Sequence, residues 1–536
     1  MVNFADLRDA RPVELATAAQ AWGQLAGDMA KLEGQVVGEV TGPLRRSGWS
    51  GRAASSAFGV FDGLDDQCEL AALQSRNLAA VMRAAATEFD DLHKQLLAAV
   101  SAATGELGLH VDERGLVHAP QPSEAELHDP DGQDTYRSKQ NNAAIYEDLI
   151  RRIVSRADDA DARFAQAMRN FGPHFAGQQV NTEWNNATAD ARAVLRLAGL
   201  SENDIPRPGT DPKQAAAWWR SLSDDQRCLL ATAYPARIGA LEGLPTVARD
   251  QANTLALRNL IGEPDLRTYN NDKSDPQYQR LVSLLDRLEQ SETDPAAQQL
   301  YLLGIDNQGD GRAIVSMGNP DTARHTAVVV PGITTELDDM PGQINRAGNL
   351  QRTADDLTAG VAGDVAVIAW LGYDAPEIAN AMGGGRAEQG APLLDSFVNG
   401  LRASHEAGPS HVSVVGHSYG STVVGTAASS GDGLAADDII VAGSPGMRVD
   451  GVEDLKIDPR HVWAGAAQGD DVSGWMSHFA HNTEPHRDDF GANRFVVDTT
   501  GHSDYWKPDS ESLRNQSRII VGYYDRVGLE HGKAPQ

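Results

Sequence analysis

The stretch that most constrains this chain is Val412-Ser413-Val414-Val415-Gly416-His417-Ser418-Tyr419-Gly420-Ser421, followed by Thr422-Val423-Val424-Gly425-Thr426-Ala427-Ala428. The β-branched run favours a strand, and the residues after Gly420 read as the start of a helix. Between them, Gly416-x-Ser418-x-Gly420 predicts a sharp strand-to-helix turn that lifts the serine hydroxyl above a sheet edge. Glycines two residues either side let the two backbones approach without Cβ clashes. Such a turn presupposes a sheet with a helix packed across it.

The surrounding sequence supplies that sheet. From Leu300 onward, short apolar runs alternate with helix-like segments such as Pro392 to His405. Tyr301 to Ile305 and Ala313 to Val315 read as a hairpin. Further strands are expected at Thr326 to Val330, Asp364 to Trp370, His411 to Val415, Asp438 to Ala442, His461 to Ala466 and Arg494 to Asp498. Repeated strand-helix-strand units predict an α/β domain, its mostly parallel sheet covered on both faces through right-handed crossovers. Asp306-Asn307-Gln308-Gly309-Asp310-Gly311 resembles a calcium loop only superficially: Gln308 stands where that loop prefers Asp or Asn and Met317 where it needs a bidentate glutamate, so it reads as a turn.

A serine hydroxyl is a poor nucleophile unless an imidazole takes its proton, a carboxylate holds the imidazole, and amides receive the oxyanion. Downstream of Ser418, the strand ending near Ala466 leads into Gln468-Gly469-Asp470-Asp471, which places a carboxylate at a strand end on the same rim. The next strand leads into Gly501-His502-Ser503, where a base belongs. Asp470 is the expected acid, with the adjacent Asp471 as its rival. The expected oxyanion donors are the Tyr419 amide, at the start of a helix, and the Ile333 or Thr334 amide in Pro331-Gly332-Ile333-Thr334-Thr335. The chemistry calls for no cofactor and no metal. His478, His481 and His486 lack a supporting acid-histidine motif and read as a surface loop near the site. His417, beside the serine in a sharp turn, should point elsewhere and pack or hydrogen-bond locally.

Several motifs together resemble the actinobacterial α/β-hydrolase domain family of unassigned function, over about residues 214–524. They are Trp218-Trp219, Gly243-Leu244-Pro245, Arg249-Asp250-x-Ala252-Asn253, Trp370-Leu371-Gly372-Tyr373-Asp374, Gly416-His417-Ser418-Tyr419-Gly420-Ser421, Gly443-Ser444-Pro445-Gly446, Gly469-Asp470 and Gly501-His502-Ser503. The resemblance implies an α/β-hydrolase fold and a serine-hydrolase apparatus, with no defined substrate. Asp471 stands where that family more usually has proline. The expected reaction is cleavage of an ester, lipid ester or related acyl bond.

The front of the chain is helical. Leu15, Trp22, Leu25, Met29, Leu32 and Val36 give one amphipathic helix, broken at Thr41-Gly42-Pro43. A second carries an unbroken three-four seam from Phe61 through Leu64, Cys68, Ala71, Ser75, Leu78, Met82, Ala85, Phe89, Leu92 and Leu96 to Ala99. With Trp49-Ser50-Gly51 between them, the pair resembles the Trp-x-Gly helical-hairpin family associated with type VII secretion. That family's tyrosine with an acidic residue four positions later is missing at Tyr136 and Tyr146. Residues 1–105 are read as this hairpin, 106–210 as a small β-hairpin, linker and third long helix, 211–298 as a helical lead-in or cap, and 299–536 as the catalytic domain. The hairpin offers a surface for a protein partner. It also sustains an alternative reading, a secreted or scaffold interaction protein whose hydrolase domain is inactive or toxic.

A net charge of −29 argues against nucleic acid or an anionic membrane as a partner, because both would repel the chain. The expected substrate is a small-molecule or lipid ester. Two cysteines, Cys68 and Cys228, imply no disulfide framework. The uncharged run from Ala407 to Gly431 reads as a buried strand and helix, not a transmembrane span. Met1 to Asp9 lacks a basic start followed by an apolar core, so the chain is expected to be cytoplasmic, with type VII-like export lacking a standard signal peptide as the alternative.

Overall fold

Fifty consecutive residues without a proline, Arg52–Ser101, form one helix (α2 here) in the computed structural model. That model describes every residue other than 171–179, 198, 263–275, 293, 359–362, 406, 407, 409, 471–481 and 531–536. The chain divides into two compact units, Met1–Val36 with Gly51–Ser201, and Val37–Ser50 with Glu202–Gln536. No helix among the described residues is long and apolar enough to cross a membrane.

In the first unit, helix α1 (Pro12–Gln35), then α3 (Pro130–Asn170) and α4 (Val180–Leu197) all pack on α2. The three-four seam is buried at Cys68, Ser75, Ala85, Leu92, Leu96 and Ala99, whereas Leu64 is exposed. A second set on α2, including Leu70, Ala72, Asn77, Ala79 and Val81, is buried as well. Three helical neighbours require this, and the alanines let them approach closely. Phe89 and Phe164 lie 6.2 Å apart between α2 and α3, and Arg163 pairs with Glu88 at 2.6 Å. Strands β1 (His110–Val111) and β2 (Val117–His118) form the small antiparallel hairpin. Gly42-Pro43 does not simply end a helix. The proline opens a short one, Gly42–Arg46, after a wide π-type segment over Val36–Thr41.

The second unit is built on an eight-stranded sheet. Its strands are β3 (Leu300–Asp306), β4 (Arg312–Met317), β5 (His325–Val330), β6 (Val365–Trp370), β7 (His411–His417), β8 (Asp438–Ala442), β9 (Val462–Gly465) and β10 (Asn493–Arg494). They lie in the order β10-β9-β8-β7-β5-β6-β4-β3. From β6 to β10 neighbours are parallel, and β4 and β3 add an antiparallel edge. Val415, Val329 and Ile440 face one apolar layer, and Val414, Val328 and Ile439 face the other. Burying each of these side chains contributes roughly 1.5–3 kcal/mol. Helices α9 (Met340–Asp355) and α12 (Glu511–Ile520) lie in the first layer; α10 (Gly385–Ser404) and α11 (Tyr419–Ser429) lie in the second.

Two departures from the sequence reading have clear causes. The strand expected over Arg494 to Asp498 is cut to Asn493–Arg494: the Phe495 amide still donates to the Ala464 carbonyl of β9 at 3.1 Å, but Phe495 already bridges antiparallel to Leu529. The main chain of Val496 then donates to Gly528. The strand expected from His461 begins instead at Val462, with His461 in a preceding turn where its ring reaches Asp438.

Ahead of the sheet come helices α5 (Pro212–Ser221), α6 (Asp224–Ala233), α7 (Thr246–Ile261) and α8 (Pro276–Ser291), of which α7 closes the open edge of β3. Arg249 and Asn253, both buried, donate to the carbonyls of Leu303 (2.6 Å) and Leu302 (3.0 Å). Asp250 accepts from the Leu302 amide at 2.6 Å. Arg249-Asp250-x-Ala252-Asn253 is thus an edge-covering motif that satisfies main-chain groups an exposed strand would leave open.

At the opposite end of the strands from the Ser418 turn lies a buried polar hub. Asp438, at the start of β8, accepts from His461 and Trp463 on one oxygen, both at 2.9 Å. Its other oxygen accepts from Tyr524 at 2.8 Å and lies 2.9 Å from His411 Nε2. Burial opposes charge on both Asp438 and His411. Their hydrogen bonds outweigh it, lowering the carboxyl and raising the imidazole. Removing the carboxylate would orphan buried donors from β9, β7 and the C-terminal segment together. Asp438→Ala is therefore expected to destabilise this unit by about 3–5 kcal/mol, read as a lower urea midpoint at pH 7 with the overall helix content of the unheated protein unchanged.

Candidate active site

Ser418 sits where β7 ends and α11 begins, with φ 53 and ψ −128. That backbone is strained for a residue carrying a Cβ, at a cost of about 1–3 kcal/mol. Neighbouring contacts explain how it is held. A Cβ at Gly416 would lie 2.6 Å from Ser421 Cα, and one at Gly420 would lie 2.2 Å from the Val330 carbonyl oxygen, so both glycines are required by close backbone approach. Ser421 donates to the Ser418 carbonyl at 2.6 Å and is itself 2.6 Å from the Ser444 hydroxyl. The Tyr419 amide opens α11, at the positive end of the helix dipole.

The loop after β5 lies directly against the serine: a Cβ at Gly332 would be 2.7 Å from Ser418 Cβ and 3.2 Å from its Oγ. Tyr373 donates to the Pro331 carbonyl at 2.8 Å and fixes the loop from β6. Thr334, also at φ 53, donates its amide to the Pro376 carbonyl at 3.0 Å. That amide is engaged, whereas the Ile333 amide bonds no described residue.

Asp470 and His502 meet as a pair. His502 Nδ1 lies 2.9 and 3.0 Å from the two oxygens of Asp470, whose side chain is only 1% exposed. A carboxylate only accepts, so Nδ1 carries the proton and Nε2 is the nitrogen able to take one. The loops bearing the two residues are also joined by main chain, since Gly501 donates to the Gln468 carbonyl at 3.2 Å. Asp471, His478 and His481 lie outside the described residues. His486 is 3.6 Å from Glu484 and joins neither Asp470 nor His502.

Tyr505 is absent from the sequence reading, and the parts played by Gly443 and His417 were not read there. Tyr505 donates to Asp470 Oδ2 at 2.6 Å while accepting from the Ala467 amide at 2.9 Å. Burial, and then the bond to Asp470, push its phenol up, so it stays a donor. Gly443, at φ 59, leaves room for the acid, because a Cβ there would stand 2.7 Å from Asp470 Oδ2. His417 was expected to pack or hydrogen-bond locally. It bonds instead to a residue 85 positions away, its Nε2 lying 2.8 Å from the His502 carbonyl oxygen. The only advance signal for Tyr505 was its place three residues after His502 in a tight turn.

Residues 306–481 match the family described as Alpha/beta hydrolase. An uncharacterized protein of Mycobacterium tuberculosis strain H37Rv is 30% identical over 207 residues, covering 37% of this chain and 77% of that protein. The chain belongs to the alpha/beta hydrolase family. A second uncharacterized protein of the same strain is 32% identical over 391 residues, which cover 61% of this chain. Only 58% of that longer relative is spanned. An uncharacterized Mycobacterium bovis protein is 30% identical over 207 residues. For this alpha/beta hydrolase, family membership fits the observed sheet: a parallel array with the Gly-x-Ser-x-Gly turn at the end of a central strand.

His417 also sets a pH dependence. Burial first, then His502 and the Arg346 guanidinium, push its ring down to about 3. The unfolded chain would take up this proton near pH 6.5 and the folded chain only near 3. The neutral ring's contribution is therefore complete above 6.5 and is lost as pH falls towards 3. His417→Gln is expected to flatten the acid-side slope of unfolding free energy by about 1.4 kcal/mol per pH unit, measured by urea titrations between pH 6 and pH 4.

Proposed function

We propose that this alpha/beta hydrolase is a serine ester hydrolase acting through Ser418, His502 and Asp470. The observation that carries the reading is the Nδ1 bond of His502 to a buried Asp470, which leaves Nε2 as the base in the same unit as the strained Ser418. Ser418 Oγ attacks the acyl carbonyl carbon as its proton passes to His502 Nε2. The carbonyl oxygen becomes an oxyanion received by the Tyr419 and Ile333 amides, an arrangement worth about 2.7–4 kcal/mol per donor in related chemistry. Collapse breaks the bond to the leaving alcohol, which departs with the proton from His502 and leaves an acyl-serine. Water then gives a proton to His502 and attacks the acyl carbon; the proton returns to Ser418 as the acid product leaves. Asp470 stays ionised throughout, holding the tautomer and stabilising the transient imidazolium.

The substrate class follows from charge. A chain of net charge −29 disfavours polyanions and leaves small neutral esters and lipid esters. A panel of p-nitrophenyl acyl esters of increasing chain length tests the reading. Wild type should turn over at least part of the panel, Ser418→Ala should lose that turnover, and Asp470→Asn should lower kcat about a thousandfold to ten-thousandfold. Turnover that survives Ser418→Ala would refute the assignment.

A further inference from the structure

Within the reading above, the hydrogen bonds around His502 divide into two kinds. One kind relates the base to its acid: His502 Nδ1 to Asp470 at 2.9 Å, and Gly501 to Gln468 at 3.2 Å within the parallel bridge between Thr500 and Gln468. Both end on the loop that carries Asp470. They would let the acid and base move together as one piece. The other kind has one member. Among the described residues, the bond between His417 Nε2 and the His502 carbonyl is the only hydrogen bond from residues 500–502 to the strand that bears the nucleophile.

From this division we infer that His417 is a positioning residue that fixes the base relative to the nucleophile by holding the main chain of His502. The carbonyl can only accept, so His417 must present Nε2–H, and its Nδ1 is then unprotonated in the neutral ring. The ring is held for this task. It lies edge-on to Trp506 at 5.0 Å, beside His502 at 4.8 Å and near Tyr505 at 6.0 Å. Trp506 is tied in turn to α9, where Asn349 donates to its carbonyl at 3.1 Å and the Arg346 guanidinium lies 5.4 Å from its ring centre. Residue 417 directly precedes Ser418 on a rigid central strand. A donor there transmits the position of the elbow to the loop of the base with a single bond.

Neutrality matters as much as position. During acylation His502 becomes an imidazolium, and a second cation 4.8 Å away would raise the energy of that state. A buried, neutral donor avoids the repulsion while keeping the hydrogen bond. His417 therefore acts on the chemical step without touching substrate, and its loss should fall on kcat and leave KM nearly unchanged.

This inference rests on the serine-hydrolase reading, and the experiment separates the two. Steady-state kinetics on one p-nitrophenyl ester are measured for wild type, S418A, His417→Phe and His417→Gln, each with its thermal midpoint. Phenylalanine keeps a flat ring and removes the donor; glutamine restores an N–H near the place of Nε2. The expected result is a tenfold or greater fall in kcat for His417→Phe with KM within twofold, and recovery to within threefold of wild type for His417→Gln. Equal rates for wild type and S418A would overturn the hydrolase reading and this inference with it. Turnover that depends on Ser418 but is unchanged in His417→Phe would overturn this inference alone, as would a folded His417→Gln as impaired as the phenylalanine variant. Histidine-selective nitrogen-15 NMR of the wild-type protein gives a readout independent of any folding defect in the variants. His417 should appear as the Nε2–H tautomer at pH 7 and remain neutral at pH 5, and an Nδ1–H tautomer or an imidazolium would contradict the proposal.

Discussion

The backbone at Ser418 is the constraint on which the site depends. A non-glycine residue at φ 53 would relax were it free to do so, and here close backbone packing and a hydrogen bond to its carbonyl hold it. Gly416 and Gly420 bring α11 so close to β7 and β5 that a single added Cβ would collide with main chain. The Ser421 hydroxyl holds the Ser418 carbonyl from within the helix, and Ser444 supports Ser421 from the loop after β8. The strain is thus supported by the parallel sheet, whose central strands are buried on both faces. In return, the serine is presented at the start of a helix and directly against the Gly332 loop.

The two ends of the sheet handle charge differently. At the starts of the strands, Asp438 satisfies donors from several segments and acts as a structural knot. At the opposite end, Asp470 is equally buried but is shared between a tyrosine and a histidine. The His502 side chain remains 26% exposed. Both carboxylates are satisfied, as burial requires. What distinguishes them is position: Asp438 lies at the start of β8, whereas Asp470 follows β9 and pairs with His502 at the end of the sheet where Ser418 stands.

Much of this was legible in the sequence because it rests on local rules. The β-branched runs located β5 to β9, and the Gly-x-Ser-x-Gly spacing located the elbow within a residue. Asp470 and His502 could be picked out because parallel strands deliver their following loops to one rim. What stayed hidden depends on tertiary contact. Nothing local marks Arg249, Asp250 and Asn253 as partners of a strand some fifty residues on. The truncation of β10 follows from its pairing with the Leu529 segment, which no periodicity announces. His417 looked like a bystander because its neighbour in sequence is the serine, whereas its partner is the main chain of residue 502. On α2 the heptad rhythm revealed one buried stripe. The second follows from having three helical neighbours, a matter of topology that a single helix does not encode.

If Ser418 is a nucleophile activated by its surroundings, a covalent trap should mark it. The native protein is treated with a fluorophosphonate and digested, and the adduct is mapped by mass spectrometry. The account predicts one adduct per chain, on the peptide that contains Ser418, and none after denaturation before treatment. A folded protein that takes no adduct, or carries it on a residue other than Ser418, would contradict it.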